Sequence, residues 1–137
     1  MSIVINTPNG NIGRTLANHL LDAGESIVVI SRSAEKVADL VARGARLVQG
    51  SMDEPSTLDN ALSGARALFW VTPPPARPDF HNWDLSAASA AAHSAKKNGV
   101  HTAVLVSSVG AHTGRGTGPV GSLLALENEF QRLLPNV

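Results

Sequence analysis

Five short, almost continuously apolar runs punctuate this chain, and segments with apolar residues at every third or fourth position separate them. The runs are Ile3–Asn6, Ile27–Ser31, Arg46–Gln49, Ala67–Thr72 and Thr102–Ser107. Runs of this length without polar alternation fit strands whose sheet is covered on both faces. Strands alternating with helices form a parallel sheet, because each parallel pair needs a crossover between its members. Right-handed crossovers then favour a doubly wound, Rossmann-like α/β fold with strand order 3-2-1-4-5.

The helical segments carry their own start and stop signals. Ile12, Leu16, Leu20 and Ala23 share one face of the first, which ends at Gly24. Ser33 can cap the second, whose apolar face is Val37, Leu40 and Val41 and whose end is Gly44. Pro55 opens a short third helix carrying Leu58 and Leu62 before Gly64. The fourth runs from about Trp83 to Asn98, and its alanines let a helix backbone lie close to a sheet. The fifth opens at Pro119 and carries Leu123, Leu126, Phe130 and Leu134. A stiff loop, Thr72-Pro73-Pro74-Pro75-Ala76-Arg77-Pro78, follows the fourth strand. With no linker and no solenoid repeat, residues 1–137 read as one domain.

Composition narrows the function classes. Eleven basic residues balance eleven acidic ones without a run of like charge, which argues against nucleic acid or an anionic membrane as partner. No apolar run approaches the ~18 residues of a membrane span. The chain enters a strand at once, without the basic-then-apolar order of a signal peptide, so a cytoplasmic location is expected. The absence of cysteine rules out disulfides and thiolate chemistry. The histidines at 19, 81, 93, 101 and 112 lack metal-ligand spacing, and no metal site is expected. Trp70 and Trp83 read as core and rim residues.

The first strand runs into Thr7-Pro8-Asn9-Gly10-Asn11-Ile12-Gly13, which opens the first helix. Such a turn puts backbone N–H groups and a positive helix end where a pyrophosphate can sit. Gly10 would let backbone approach the phosphates, and Gly13 would let helix pack on strand. Thr7 stands where a first glycine permits a tight bend, and a β-branched residue does not take positive φ cheaply. The expected contacts are Thr7, Asn9, Gly10, Asn11, Ile12 and Gly13. The competing reading is an ordinary strand-to-helix turn.

The end of the second strand reports on the cofactor. An acid about 20 residues past the turn would hold the ribose 2′-hydroxyl of NAD. This chain instead has Ser31-Arg32-Ser33, with Lys36 one turn on, a set suited to a 2′-phosphate. Arg14 could add to it. NADP(H) is therefore expected over NAD(H), with Arg32, Ser33 and Lys36 as contacts; the alternative is a merely solvated Arg32. Ser51 and Met52 should edge the adenine pocket. Thr72, Pro73 and Pro74 leave the fourth strand beside the ribose or pyrophosphate, and Ser107 and Ser108 end the fifth near the nicotinamide.

Taken in order, these segments resemble the NmrA-like, atypical short-chain dehydrogenase/reductase family. The likeness rests on Thr7–Gly13, Ser31–Lys36, Gly50–Pro55, Leu68–Pro74, Val104–Ala111 and Gly116–Pro119. It implies a Rossmann fold that binds NAD(P)(H), in a family with NADPH-dependent quinone and dye reductases and with regulators that bind the oxidised dinucleotide. Three departures stand out: Thr7 in place of a glycine, Ser51 where a carboxylate often meets the adenine, and the early end. The family continues past the fifth helix into further strands and a substrate-covering region. This chain stops at Pro135-Asn136-Val137, about where a sixth strand is expected, and reads as an N-terminal fragment or a naturally shortened member.

Short-chain dehydrogenases typically use a tyrosine as acid/base and a lysine four residues on. This sequence has no tyrosine, and no lysine after Lys97. Ser108 matches the family's third catalytic position, and His112 is the nearest acid/base candidate. Hydride transfer to a quinone-like acceptor needs less proton machinery. Three readings stay open: a reductase, a non-catalytic dinucleotide sensor acting through a protein partner, and a remnant that does neither well. An open edge beyond the fifth strand and an open apolar face carrying Leu126 and Phe130 would favour a homo-oligomer.

Overall fold

The computed structural model describes residues 1–72, 78–108, 111 and 122–137. The five strands are β1 (Ser2–Ile5), β2 (Ile27–Ser31), β3 (Arg46–Gln49), β4 (Ala65–Val71) and β5 (Thr102–Val106). They form one parallel sheet in the order β3-β2-β1-β4-β5, as the alternation of runs predicts. The helices are α1 (Asn11–Asp22), α2 (Ala38–Ala42), α3 (Pro55–Leu62), α4 (Phe80–Lys97) and α5 (Leu123–Leu133).

Alternate residues of the central strands face opposite cores. Val4, Val28, Ile30, Leu68 and Trp70 pack with α3, α4 and α5, while Ile5, Ile27 and Val29 pack with α1 and the α2 region. All of these strand residues are at least 98% buried, which explains the lack of polar alternation. Ala87, Ala88, Ala91, Ala92 and Ala95 give α4 a buried stripe with no bulk, so the helix settles onto Leu68 and Trp70. Phe130 of α5 lies 6.2 Å, centroid to centroid, from Trp70 in a tilted contact.

Several expectations are corrected. Leu126 and Phe130 are buried between α5 and the sheet, so the apolar face expected to be open is closed. The buried stripe of α1 is Gly13 and Ala17, flanked by Leu16, Leu20 and Leu21. Ile12 is instead 52% exposed, because small residues bring the helix closest to the sheet. Ser33 does not cap the second helix. Its N–H and carbonyl both bond the Ser31 hydroxyl, and a 3₁₀ turn at Glu35–Val37 leads into α2, leaving Val41 exposed. The fourth helix starts at Phe80, ahead of Trp83. The expected start of the fifth at Pro119 lies outside the described residues.

Past α5 the chain returns to the outer side of β5. Ala103 N–H donates to the Asn136 carbonyl at 2.9 Å, and Asn136 N–H donates to the His101 carbonyl at 3.1 Å. This parallel bridge between Thr102 and Asn136 occupies one end of the edge expected to be open. Farther along that strand Val104 remains 54% exposed.

Candidate nucleotide-binding cleft

The sheet changes winding direction between β1 and β4, and ligands of such folds bind beyond the strand ends at that point. Here the point is braced by Asn6, a nearly buried side chain just past β1. Its Nδ2 donates to the Val71 carbonyl and its Oδ1 accepts from Val71 N–H, both at 2.9 Å. This two-way amide bond holds the mouths of β1 and β4 together. Above it opens a cleft of about 1150 Å3, beyond the ~300–1,000 Å3 usual for drug-sized ligands.

One wall is the turn Thr7–Gly13. Gly10 N–H donates to the Thr7 carbonyl at 3.2 Å, and Arg14 N–H makes the first intrahelical bond, to Gly10, at 2.9 Å. The amides of Asn11, Ile12 and Gly13 precede that bond, and among the described residues no side chain caps the helix. They form a donor cluster at the positive end of α1, suited to an anion. Gly13 is required by packing: a Cβ there would lie 2.0 Å from the Thr7 carbonyl oxygen. Gly10 is not so confined, since a Cβ would meet the same oxygen at 3.6 Å. No described non-glycine residue has positive φ, so Thr7 fits the turn without the strain that its β-branch suggested.

A second wall follows β2. The Ser31 hydroxyl ties the turn to Ser33 and is approached by Asn9 Nδ2 at 3.5 Å, while Gln49 Nε2 donates to the Arg32 carbonyl at 3.2 Å. The backbone of Arg32 is therefore fixed at the cleft mouth. Its side chain is exposed, and among the described residues none pairs with its guanidinium. Arg14 is committed elsewhere, bonding Asp39 Oδ2 and the Lys36 carbonyl, each at 2.6 Å. The Arg14 guanidinium holds the Asp39 carboxyl below its ordinary range. Ser33 and Lys36 do not line the cleft.

The far wall comes from the β3–α3 connection and from α4. Ser51, Met52 and Asp53 line it, as do Thr72 and Trp83. The Ser51 hydroxyl donates to Asp53, and Trp83 Nε1 donates to Asp53 Oδ2 at 2.8 Å. Asn6 Nδ2 also approaches Met52 Sδ at 3.7 Å. Gly50 lets α3 come close, since a Cβ there would lie 2.3 Å from Thr57 Oγ1. Thr72 donates its hydroxyl to buried Asp84 at 3.2 Å, and Ser122, just ahead of α5, donates to the same carboxylate at 2.8 Å.

The candidates after β5 stand apart from this cleft. Ser107 donates its hydroxyl to Glu127 of α5, and the Ser108 carbonyl accepts Ala111 N–H at 3.1 Å. Pro73, Pro74 and His112 lie outside the described residues. Asn6, Asp53 and Trp83 are among the cleft residues that sequence reasoning missed as site residues. Their roles depend on partners 65 and 30 positions away, which no local pattern reveals.

A family model described as NAD(P)H-binding matches residues 8–133. The chain belongs to this NAD(P)H-binding family. Over 90 residues it is 36% identical to a (4-alkanoyl-5-oxo-2,5-dihydrofuran-3-yl)methyl phosphate reductase of Streptomyces griseus, covering 66% of this chain and 30% of that protein. Among solved structures, the triphenylmethane reductase of Citrobacter complexed with NADP(H) aligns with TM-score 0.82 at 21% identity, over 96% of this chain and 45% of that one. The NADPH-dependent quinone oxidoreductase of Escherichia coli aligns with TM-score 0.78 at 21% identity, over 95% and 44%. This NAD(P)H-binding chain thus spans less than half the length of these relatives. Its amide cluster, close-packed Gly13 and deep cleft fit the dinucleotide that the family binds.

Proposed function

We propose that this NAD(P)H-binding chain prefers NADP(H) to NAD(H) and presents the nicotinamide to a quinone-like or other small acceptor. The amides of Asn11, Ile12 and Gly13 would receive the pyrophosphate, with Thr7 and Asn9 shaping the turn around it. Ser51 and Met52 would edge the adenine. The carrying observation is Arg32: its backbone is fixed from both sides, its guanidinium is unpaired among the described residues, and the residues directly after β2, Arg32-Ser33-Ala34, include no acid. A guanidinium so placed suits the 2′-phosphate, and an acid would suit a free 2′-hydroxyl. When bound, the reduced dinucleotide supplies a hydride; the chain's residues bind and orient it. The three relatives described above are a phosphate-ester reductase, a dye reductase and a quinone oxidoreductase, which supports a small-molecule acceptor.

Titration of Arg32→Ala with all four dinucleotides tests the preference. Loss of a charge-assisted contact worth about 1.5–3 kcal/mol predicts at least tenfold weaker NADP(H) binding, with NAD(H) unchanged. Equal losses for both cofactors would overturn the assignment.

A second reading, a dinucleotide sensor without turnover, is favoured by the Ser107 hydroxyl being engaged by Glu127 and by Ser108 standing outside the cleft. NADPH oxidation with added quinones separates the two readings. We also propose self-association through the flank of β5 at exposed Val104. Light scattering at high concentration should detect a dimer or larger species, and a strictly monomeric solution would refute it.

A further inference from the structure

Trp83 is the one tryptophan in the cleft wall, and its position is not left to chance. It sits in the first turn of α4, half-buried, and its indole N–H donates to Asp53 Oδ2 at 2.8 Å. The other Asp53 oxygen accepts the Ser51 hydroxyl. The indole is thus tied, within that one wall, to the β3–α3 connection that carries Met52, which Asn6 approaches from below. Ser51, Met52 and Arg32 all lie on the β2–β3 side of the α1 terminus. A dinucleotide whose pyrophosphate sits on that terminus sends its adenosine half to this side and its nicotinamide half toward β4 and β5.

We propose that Trp83 is a stacking surface for the adenine base, with Asp53 as the residue that fixes its ring; this rests on the dinucleotide reading above. A rigid aromatic ring with its polar edge already satisfied gives a base a sequence-indifferent contact at little entropic cost. The role differs from the rim role that spacing alone suggested for Trp83.

The two tryptophans make the test direct. Trp70 is 1% exposed and its buried indole nitrogen has no partner among the described residues, so Trp70→Phe removes that donor while keeping an aromatic ring against Phe130. Trp83 is then the sole indole emitter. Adenosine 2′,5′-bisphosphate is expected to quench that emission, and nicotinamide mononucleotide is not. In calorimetry on the otherwise native chain, Trp83→Ala should weaken the bisphosphate about tenfold, and Trp83→Phe should retain most of the affinity. Asp53→Asn should shift the Trp83 emission and weaken the bisphosphate less than Trp83→Ala does. Normal NADP+ binding with an unchanged bisphosphate affinity in Trp83→Ala, or quenching by nicotinamide mononucleotide alone, overturns this inference and leaves the dinucleotide reading standing. If neither NADP+ nor the bisphosphate binds the native chain, both fall together.

Discussion

Two glycines three positions apart do different work. A methyl group at Gly13 would overlap the Thr7 carbonyl, which is backbone rather than the far end of a flexible side chain. Gly13→Ala should therefore cost about 1–3 kcal/mol in urea unfolding and displace the α1 terminus from the cleft. Gly10 has φ −75° and an ordinary 3.6 Å neighbour. Gly10→Ala should cost less than about 1 kcal/mol, the scale of an N-cap change. Equal destabilisation by the two substitutions would contradict the packing account of Gly13. The division of labour was legible in the glycine spacing, which assigns helix packing to Gly13; the atom that Gly13 meets was not, because it depends on where the Thr7 carbonyl ends up. The same holds for Ser33, an expected cap that is drawn instead into the Ser31 turn, and for Arg14, drawn to Asp39.

Among the elements, α3 and α4 are joined by a carboxylate clamp. Asp59 accepts from Lys97 Nζ at 2.6 Å and from Asn98 Nδ2 at 3.4 Å, and it also accepts the Ser94 hydroxyl. Lys97 first, then Ser94, hold the Asp59 carboxyl below its ordinary value of 3.8. A depressed folded-state value means that the clamp's contribution is complete above the ordinary value and is lost as pH falls through the lowered one. The stability gap between the native chain and Asp59→Asn should thus be constant near neutrality and shrink as pH drops below about 4. Urea unfolding across that range measures it, and a gap that stays constant to low pH would contradict the clamp. The gap itself should be modest, because the pair is partly solvated.

At this scale the sequence was most informative. The apolar runs marked all five strands within two residues at each end; burial on both faces leaves that signature most fully in β2, while the edge strands β3 and β5 have one buried residue each. Helix faces were less legible. The apolar pattern of α1 pointed to Ile12, while the structure buries Gly13 and Ala17, whose small size rather than hydropathy brings the helix in. Leu126 and Phe130 read as an open face, since nothing local shows that α5 folds back onto Trp70.

For the whole molecule, strand order places three supports around one opening: the α1 amides, the Arg32 turn, and the β3–α3 connection tied to Trp83. Asn6 and Asp84 brace that opening from below, each joining segments far apart in the chain. The central claim is that the amides of Asn11, Ile12 and Gly13 receive the dinucleotide pyrophosphate. Backbone ¹⁵N NMR during NADP+ titration tests it most directly. These three amide resonances should be among the most strongly shifted, moving in step with the calorimetric saturation. Saturable NADP+ binding that leaves all three unmoved would contradict the account.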